Sequence, residues 1–317
     1  MFESGKTGLI LLPAALVFLL QACDEGGSTG PIRFAYQNRV GSALCIAAVE
    51  RGLFRKEGIA VKASRFNSGP ACSEALYSGS ADIAAMGDTT AIIAVSRSPA
   101  FRIIASHGAG EHRHRIVVRE DSPLAAPEDL VTRRLAVKKG TSTYGGLLAF
   151  CDKAGIAIGD IRVIDMRPHE MTEALQAGSI DAFVASEPTP SLAEARGARE
   201  LATLGGLGNK YPILLVARKN FLEQRPDEVA RFMQAMKRAE EFVRDNPAET
   251  VALLSRISGL PRESARRAMG WHVYRLSLDA NIRESLANTA EFLHSEVKID
   301  AVPNWTLSLE SRIAPAK

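Results

Sequence analysis

Residues Ala47–Asp88 read AAVERGLFRKEGIAVKASRFNSGPACSEALYSGSADIAAMGD. A helix over Ala43–Arg51 leads in, and Gly52 and Gly58 bracket a turn around Leu53-Phe54. Val61–Phe66 has strand character, and Asn67-Ser68-Gly69-Pro70 forms a loop and helix start, with Pro70 suited to a first helical position. Ala71–Ser78 is helical and stops at Gly79. Ile83–Met86 is a short apolar run of the kind buried on both faces, followed by Gly87-Asp88-Thr89 and a helix through Val95. Strand and helix therefore alternate, which predicts an α/β fold with mostly parallel strands.

Working outward, Ile32–Tyr36 precedes this stretch as a strand, with Gln37–Ser42 as a polar loop, and Phe101–Ser106 follows it as another strand. A second block repeats the logic. Arg115–Arg119, Leu135–Val137, Arg162–Asp165 and Ala182–Ala185 are its strands; Tyr144–Ala154, Glu170–Ala177 and Leu192–Ala198 are its helices. Tyr211–Val216 is an apolar strand returning to the first block, and Asp227 to about Leu293 is mainly helical, broken at Pro247 and Pro261. Two α/β lobes joined by two crossings place a cleft between them: residues 31–115 plus 212–317 form lobe 1 and 116–211 form lobe 2. Ligands of open α/β sheets bind beyond the carboxyl ends of the strands, so the loops after the strands are the candidate binding loops.

Composition narrows the setting. Of 317 residues, 46% are hydrophobic and 24% charged, with a net charge of +3, too small to argue for nucleic acid or a polybasic membrane patch. The first 23 residues differ from the rest. Lys6 precedes twelve residues, Leu9–Leu20, too few to span a bilayer as a helix but suited to a secretory signal. Leu20-Gln21-Ala22-Cys23 resembles a bacterial lipobox, which implies a signal peptide over 1–23 and a lipid on Cys23. Residues 24–30 (DEGGSTG) then form a flexible tether, and Asp24 after the lipidated Cys implies retention at the inner membrane where the host has an outer one. The remaining Cys45, Cys72 and Cys151 leave two readings open: Cys45 and Cys72 pair in an oxidising compartment, or all three are buried thiols.

The stretch quoted first, together with DLVTRRLAVKKGTSTYGGLLAF (residues 129–150) and MRPHEMTEALQAGSIDAFVASEPTP (166–190), resembles the solute-binding proteins of the nitrate/sulfonate/taurine transporters, the NMT1/THI5-like family. The likeness runs from about Pro31 to Pro261, and order and spacing carry it more than any one motif. It implies a type II periplasmic-binding-protein fold with a two-crossing hinge. It also implies an extracytoplasmic protein, anchored to the inner membrane through Cys23, that binds a small molecule and delivers it to an ABC permease. No catalysis, cofactor or nucleic-acid partner is expected, and the chain is expected to be a monomer.

The candidate contacts follow from the loops. Thr141, Ser142 and Thr143 open a helix, where free N–H groups and hydroxyls suit an anion or simply cap the helix; the resemblance implies that this position faces the ligand's acidic head group. Ser68 and Gly69 are the lobe 1 counterpart, or a tight turn. Asp88 either accepts from a ligand amine or caps its helix, with Thr89 a possible donor. Gln37 and Asn38 can donate and accept; the family places an amide or aromatic contact in this loop. Arg167 offers a planar fork for a carboxylate or sulfonate, and Glu187 a partner for a ligand cation or for an arginine across the cleft.

In SHGAGEHRHR (106–115), His107 directly follows a strand and is the best ligand contact of its three histidines; His112 and His114 are expected on the hinge surface. No His-Glu-x-x-His spacing occurs, so no metal is expected. Lys138, Arg167 and Arg115 tilt the ligand toward a small organic anion, sulfonate- or carboxylate-like, while Asp88 and Glu187 keep a zwitterion open. The alternatives are a pyrimidine thiamin precursor, poorly supported by 6% aromatic residues, an enzyme on the same scaffold, or a sensor presenting its ligand to a membrane kinase.

Overall fold

The computed structural model describes residues 1–2 and 30–310. The expected signal segment and Cys23, and the tether up to Thr29, lie outside the described residues. Two five-stranded sheets organise the rest. Strands β1 (Ile32–Gln37), β2 (Val61–Phe66), β3 (Ile83–Gly87) and β4 (Phe101–Gly108) belong to the first sheet; β5 (His114–Arg119), β6 (Arg134–Val137), β7 (Arg162–Asp165), β8 (Ala182–Ser186) and β9 (Ala198–Thr203) form the second; β10 (Ile213–Arg218) returns to the first.

The orders are β2-β1-β3-β10-β4 and β7-β6-β8-β5-β9. Each sheet has three parallel strands, then one antiparallel strand delivered by a crossing from the other lobe: β10 beside β3, and β5 beside β8. The chain thus crosses between Gly108 and His114 and again between Thr203 and Ile213.

Helices α1 (Ala43–Glu50), α2 (Leu53–Lys56), α3 (Gly69–Tyr77) and α4 (Asp88–Arg97) link the strands of lobe 1. Helices α5 (Ser142–Ala154), α6 (Pro168–Gln176) and α7 (Thr189–Glu194) do so in lobe 2. Helices α8 (Lys219–Gln224), α9 (Pro226–Asp245), α10 (Pro247–Ser258), α11 (Arg262–Gly270) and α12 (Ala280–Ser295) follow the return. The central strands β3 and β8 are apolar along their length because helices cover both faces.

The core of lobe 1 shows why α9 docks where it does. Val229, Phe232, Met233, Met236, Ala239 and Val243 recur at three- and four-residue spacing and are buried, so they form one stripe. Phe232 lies 5.1 Å from Phe34 of β1 and 4.8 Å from Phe54 of α2, ring centre to ring centre. Each fully buried phenylalanine stabilises the lobe by about 1.5–3 kcal/mol. Replacing Phe232 with Ala would open a cavity at this three-ring junction.

Three sequence expectations need correction. Residues 198–203 form the edge strand β9, where helix was expected to run through Ala198; helix α7 ends at Glu194. The segment ARELAT pairs on one side only and is half-buried throughout, so it lacks the apolar run that marks a central strand. Tyr211 is not in β10 but in the left-handed region at φ 46°, its hydroxyl donating to Leu204 O at 2.7 Å. Cys45, Cys72 and Cys151 are all buried free thiols, which removes the disulfide reading. Burial pushes the Cys72 thiol up to about 12, Cys151 to about 11 and Cys45 higher still. Among the described residues no helix is long and apolar enough to cross a membrane.

Candidate functional site

The carboxyl ends of both sets of strands meet at one cavity of about 50 Å³. A water needs about 10–15 Å³ of such space, so the cavity matches a group of a few heavy atoms. Lobe 1 supplies Gln37 at the end of β1, Arg39 in the next loop, Ser68 and Gly69 at the start of α3, and Gly87 and Thr90 around the start of α4. Lobe 2 supplies Lys138, Thr141, Ser142 and Thr143 before and within the first turn of α5, and Ser186 at the end of β8. The crossings supply Arg113, His114 and Ile213.

Local sequence explains these positions. Ser68 and Thr141 are N-caps in extended conformation, accepting from the N–H groups of Ala71 at 3.3 Å and Tyr144 at 3.4 Å. Capping consumes one orphan donor and leaves others at each helix start, where the dipole favours negative charge. The capping and anion readings of Thr141–Thr143 are therefore compatible. A Cβ at Gly69 would approach Thr90 Oγ1 to 3.2 Å, so this backbone sits tight against the cavity wall.

Charge is distributed unevenly. Lys138 binds both oxygens of Asp165 at 3.0 Å and is compensated. Arg39 and Arg113 are not: among the described residues, no carboxylate lies within ion-pair distance of either. Arg113 is 3% exposed; its Nη2 donates to Tyr211 O at 2.9 Å and its Nε is buried without a hydrogen-bond partner in the protein. Burial pushes its guanidinium down to about 10, opposed through space by Asp88. Burial lowers Arg39 too. Between them His114 pairs through Nδ1 with Thr143 Oγ1 at 2.8 Å, leaving Nε2 buried and unpartnered. Burial and then Arg113 hold His114 far below the ordinary histidine range, so the ring is neutral at pH 7. It was expected on the hinge surface; instead it is 1% exposed and lines the cavity.

Of the sequence-predicted contacts, Gln37, Ser68, Gly69, Thr141, Ser142 and Thr143 come together on the cavity wall. The others do not. Asn38 Nδ2 donates to Ile257 O at 3.3 Å. Asp88 is fully buried behind the wall, accepting from Thr89 N–H at 2.7 Å, while Thr89 packs against α5. His107 lies within β4, fully buried, with Cys45 Sγ 3.8 Å from its Nε2. Arg167 is exposed before α6. Glu187 is 1% exposed and ion-paired to Arg115 at 2.7 Å within its own lobe, not across the cleft. Arg115, expected near the cleft, is buried in that cluster. Arg39, Arg113 and Ser186 escaped the sequence reading. One signal pointed to Arg113: HRHR runs straight into the apolar strand IVV, which forces some of those charges inward.

The lobes touch around the cavity. Arg39 Nη1 donates to Ser186 Oγ at 3.4 Å, and Thr90 Oγ1 to Gly140 O at 3.2 Å. A Cβ at Gly87 would lie 2.2 Å from Ser142 Oγ, and one at Gly145 2.7 Å from Thr89 Oγ1, so the two helix starts abut. Among the described residues no group of three or more His, Cys, Asp or Glu side chains is placed to hold a metal ion.

Comparison with known proteins agrees with this architecture. The NMT1/THI5-like family model matches residues 40–250. The chain is 31% identical over 268 residues to a putative aliphatic sulfonates-binding protein of Bacillus subtilis, covering 81% of this chain and 80% of the relative. It is 25% identical to the taurine-binding periplasmic protein of Escherichia coli, covering 95% of each. The alkanesulfonate-binding protein SsuA from Xanthomonas axonopodis pv. citri, solved bound to MOPS, superposes with a TM-score of 0.80 at 22% identity, over 89% of this chain and 98% of that one. The desulfurization enzyme DSZB shares the fold at a TM-score of 0.68 and 17% identity, over 89% of this chain and 97% of that one, so the fold alone does not separate binding from catalysis.

Proposed function

This chain belongs to the NMT1/THI5-like family and has the two-lobed periplasmic-binding-protein fold, and from that premise we propose that it is the extracytoplasmic solute-binding component of an ABC importer. It captures a small organic anion, sulfonate- or carboxylate-like, by closing its lobes, and hands it to the permease as a lipid-anchored monomer held at the inner membrane through Cys23.

One observation carries the ligand class: Arg39 and Arg113 converge on the cavity with no ion-pair partner among the described residues, beside the starts of α3 and α5. A buried charge without a counter-charge is costly. An anion bound between them removes that cost in the closed state and cannot do so when the lobes part, so its binding energy favours closure. Arg39 from lobe 1 and Thr141–Thr143 from lobe 2 are the two jaws. The sulfonate- and taurine-binding relatives support the same class.

Two features weigh against the alternatives. Among the described residues no Phe, Tyr or Trp lines the cavity, so a pyrimidine finds no stacking platform there. Among the described residues, Cys45, Cys72 and Cys151 are buried and burial raises their thiols, which disfavours a thiolate nucleophile on this scaffold.

The test is thermal unfolding of the purified protein against a panel of sulfonates, carboxylates and pyrimidines. A ligand at 100 times its Kd should stabilise it by about 2.7 kcal/mol. Stabilisation by the anions and not by pyrimidines is expected. Stabilisation by pyrimidines alone, or turnover of any panel member, would remove this reading.

A further inference from the structure

Resting on the anion reading above, we infer that the site selects against an ammonium group on its ligand: it takes plain alkyl sulfonates or carboxylates and rejects their amino counterparts. The two relatives named above divide on this point, since one is described as binding aliphatic sulfonates and the other taurine, an aminosulfonate. Sequence identity does not choose between them. The cavity wall does.

Among the described residues no Asp or Glu lines the cavity. The carboxylates nearest in sequence to its wall do not line it. Asp165 is held by Lys138 Nζ and by Lys139 N–H at 3.0 Å. Glu187 is held by Arg115 at 2.7 Å and by Ser191 N–H at 3.3 Å. Asp88 sits fully buried next to Gly87 and does not line the cavity; Thr89 N–H donates to its Oδ1, and its Oδ2 has no hydrogen-bond partner in the protein.

An ammonium entering with its anion would lose its water, gain no carboxylate, and share a cavity of about 50 Å³ with the Arg39 and Arg113 guanidiniums. Pro168, Met171, Val184 and Ala185 of lobe 2 add an aliphatic part to the cavity lining suited to methylenes. The arginines and helix starts read the head group. The missing carboxylate and the aliphatic wall read the tail.

Isothermal titration separates these elements with near-isosteric pairs: propane-1-sulfonate against taurine, and butyrate against 3-aminopropanoate. The plain anion of each pair is expected to bind at least tenfold more tightly than its aminated partner. Equal or tighter binding of the aminated partner would overturn the selectivity and leave the anion reading standing. Absence of binding by all four would bring down both.

The variant Asn67→Asp places one carboxylate on the exposed rim of the cavity without changing side-chain size. It should narrow the ratio between plain and aminated anion by at least threefold. An unchanged ratio in a folded N67D protein would mean that charge on the wall is not what discriminates.

Discussion

Arg113 and Arg115 lie two residues apart where the chain enters lobe 2, both almost fully buried, and they live in opposite surroundings. Arg115 is ringed by Glu187 at 2.7 Å, Glu194 at 2.7 Å and Glu200 at 3.0 Å, with its guanidinium 5.0 Å over the Trp271 ring. Against the effect of burial, the Glu194, Glu187 and Glu200 carboxylates hold it above its ordinary range. Arg113 has one carbonyl partner and no carboxylate in contact, and burial drives it down to about 10. A buried arginine with its charges matched fastens structure; one left unmatched beside a cavity is free to meet an anion there, as proposed above.

Replacing each in turn is the sharpest way to break this contrast. Arg115→Met strands Glu187 in the interior, and chemical denaturation should show a loss of about 3–5 kcal/mol. Ligand affinity of the protein that remains folded should change little. Arg113→Met should do the reverse. Calorimetric affinity for the anion should fall by about 2–5 kcal/mol, the range for truncating one member of a buried charge pair, while ligand-free stability stays within about 1 kcal/mol of the parent. Equal stability losses in both variants would erase the distinction.

Acid supplies a gentler probe of the same neighbourhood. His114 sits between the two arginines, and His107 and His272 are buried nearby in lobe 1, the last two pushed down by burial to about 3. Their folded pKa values lie below the unfolded value of about 6.5, so between those limits the unfolded chain binds more protons than the native one. Stability is therefore intact above about pH 6.5 and falls as pH drops toward 3, by up to about 1.4 kcal/mol per pH unit for each histidine. Unfolding midpoints from pH 7 to 4 check this. His114→Asn should flatten the slope by about one histidine's share, and an unaltered slope would mean that His114 is already charged when folded.

Much of the scaffold was legible from local pattern alone. Apolar runs such as IAAMG and AFVAS, punctuated by Gly and Pro, mark the central strands, and the cavity is reached by loops that follow central and edge strands alike. The N-cap positions Ser68 and Thr141 are likewise written in short-range chemistry. What escaped depends on partners distant in sequence. Arg39 and Arg113 matter because no carboxylate meets them, and Glu187 does not reach the cavity because Arg115 claims it first. A lone charged residue carries no sign of which neighbours the fold will bring to it. His107 and Arg167 were placed by their nearness to strand ends, but the first points into the core and the second into solvent.

The bare backbone at Gly87 and Gly145 has a mechanical consequence. These two positions, pressed against Ser142 and Thr89 of the facing lobe, leave no room for a side chain between the lobes in this structure. A single methyl added at Gly145 is a doorstop. Under the closure proposed above it should leave the ligand's own contacts untouched and hold the mouth ajar, so ligand residence time becomes tunable from a residue that does not line the cavity.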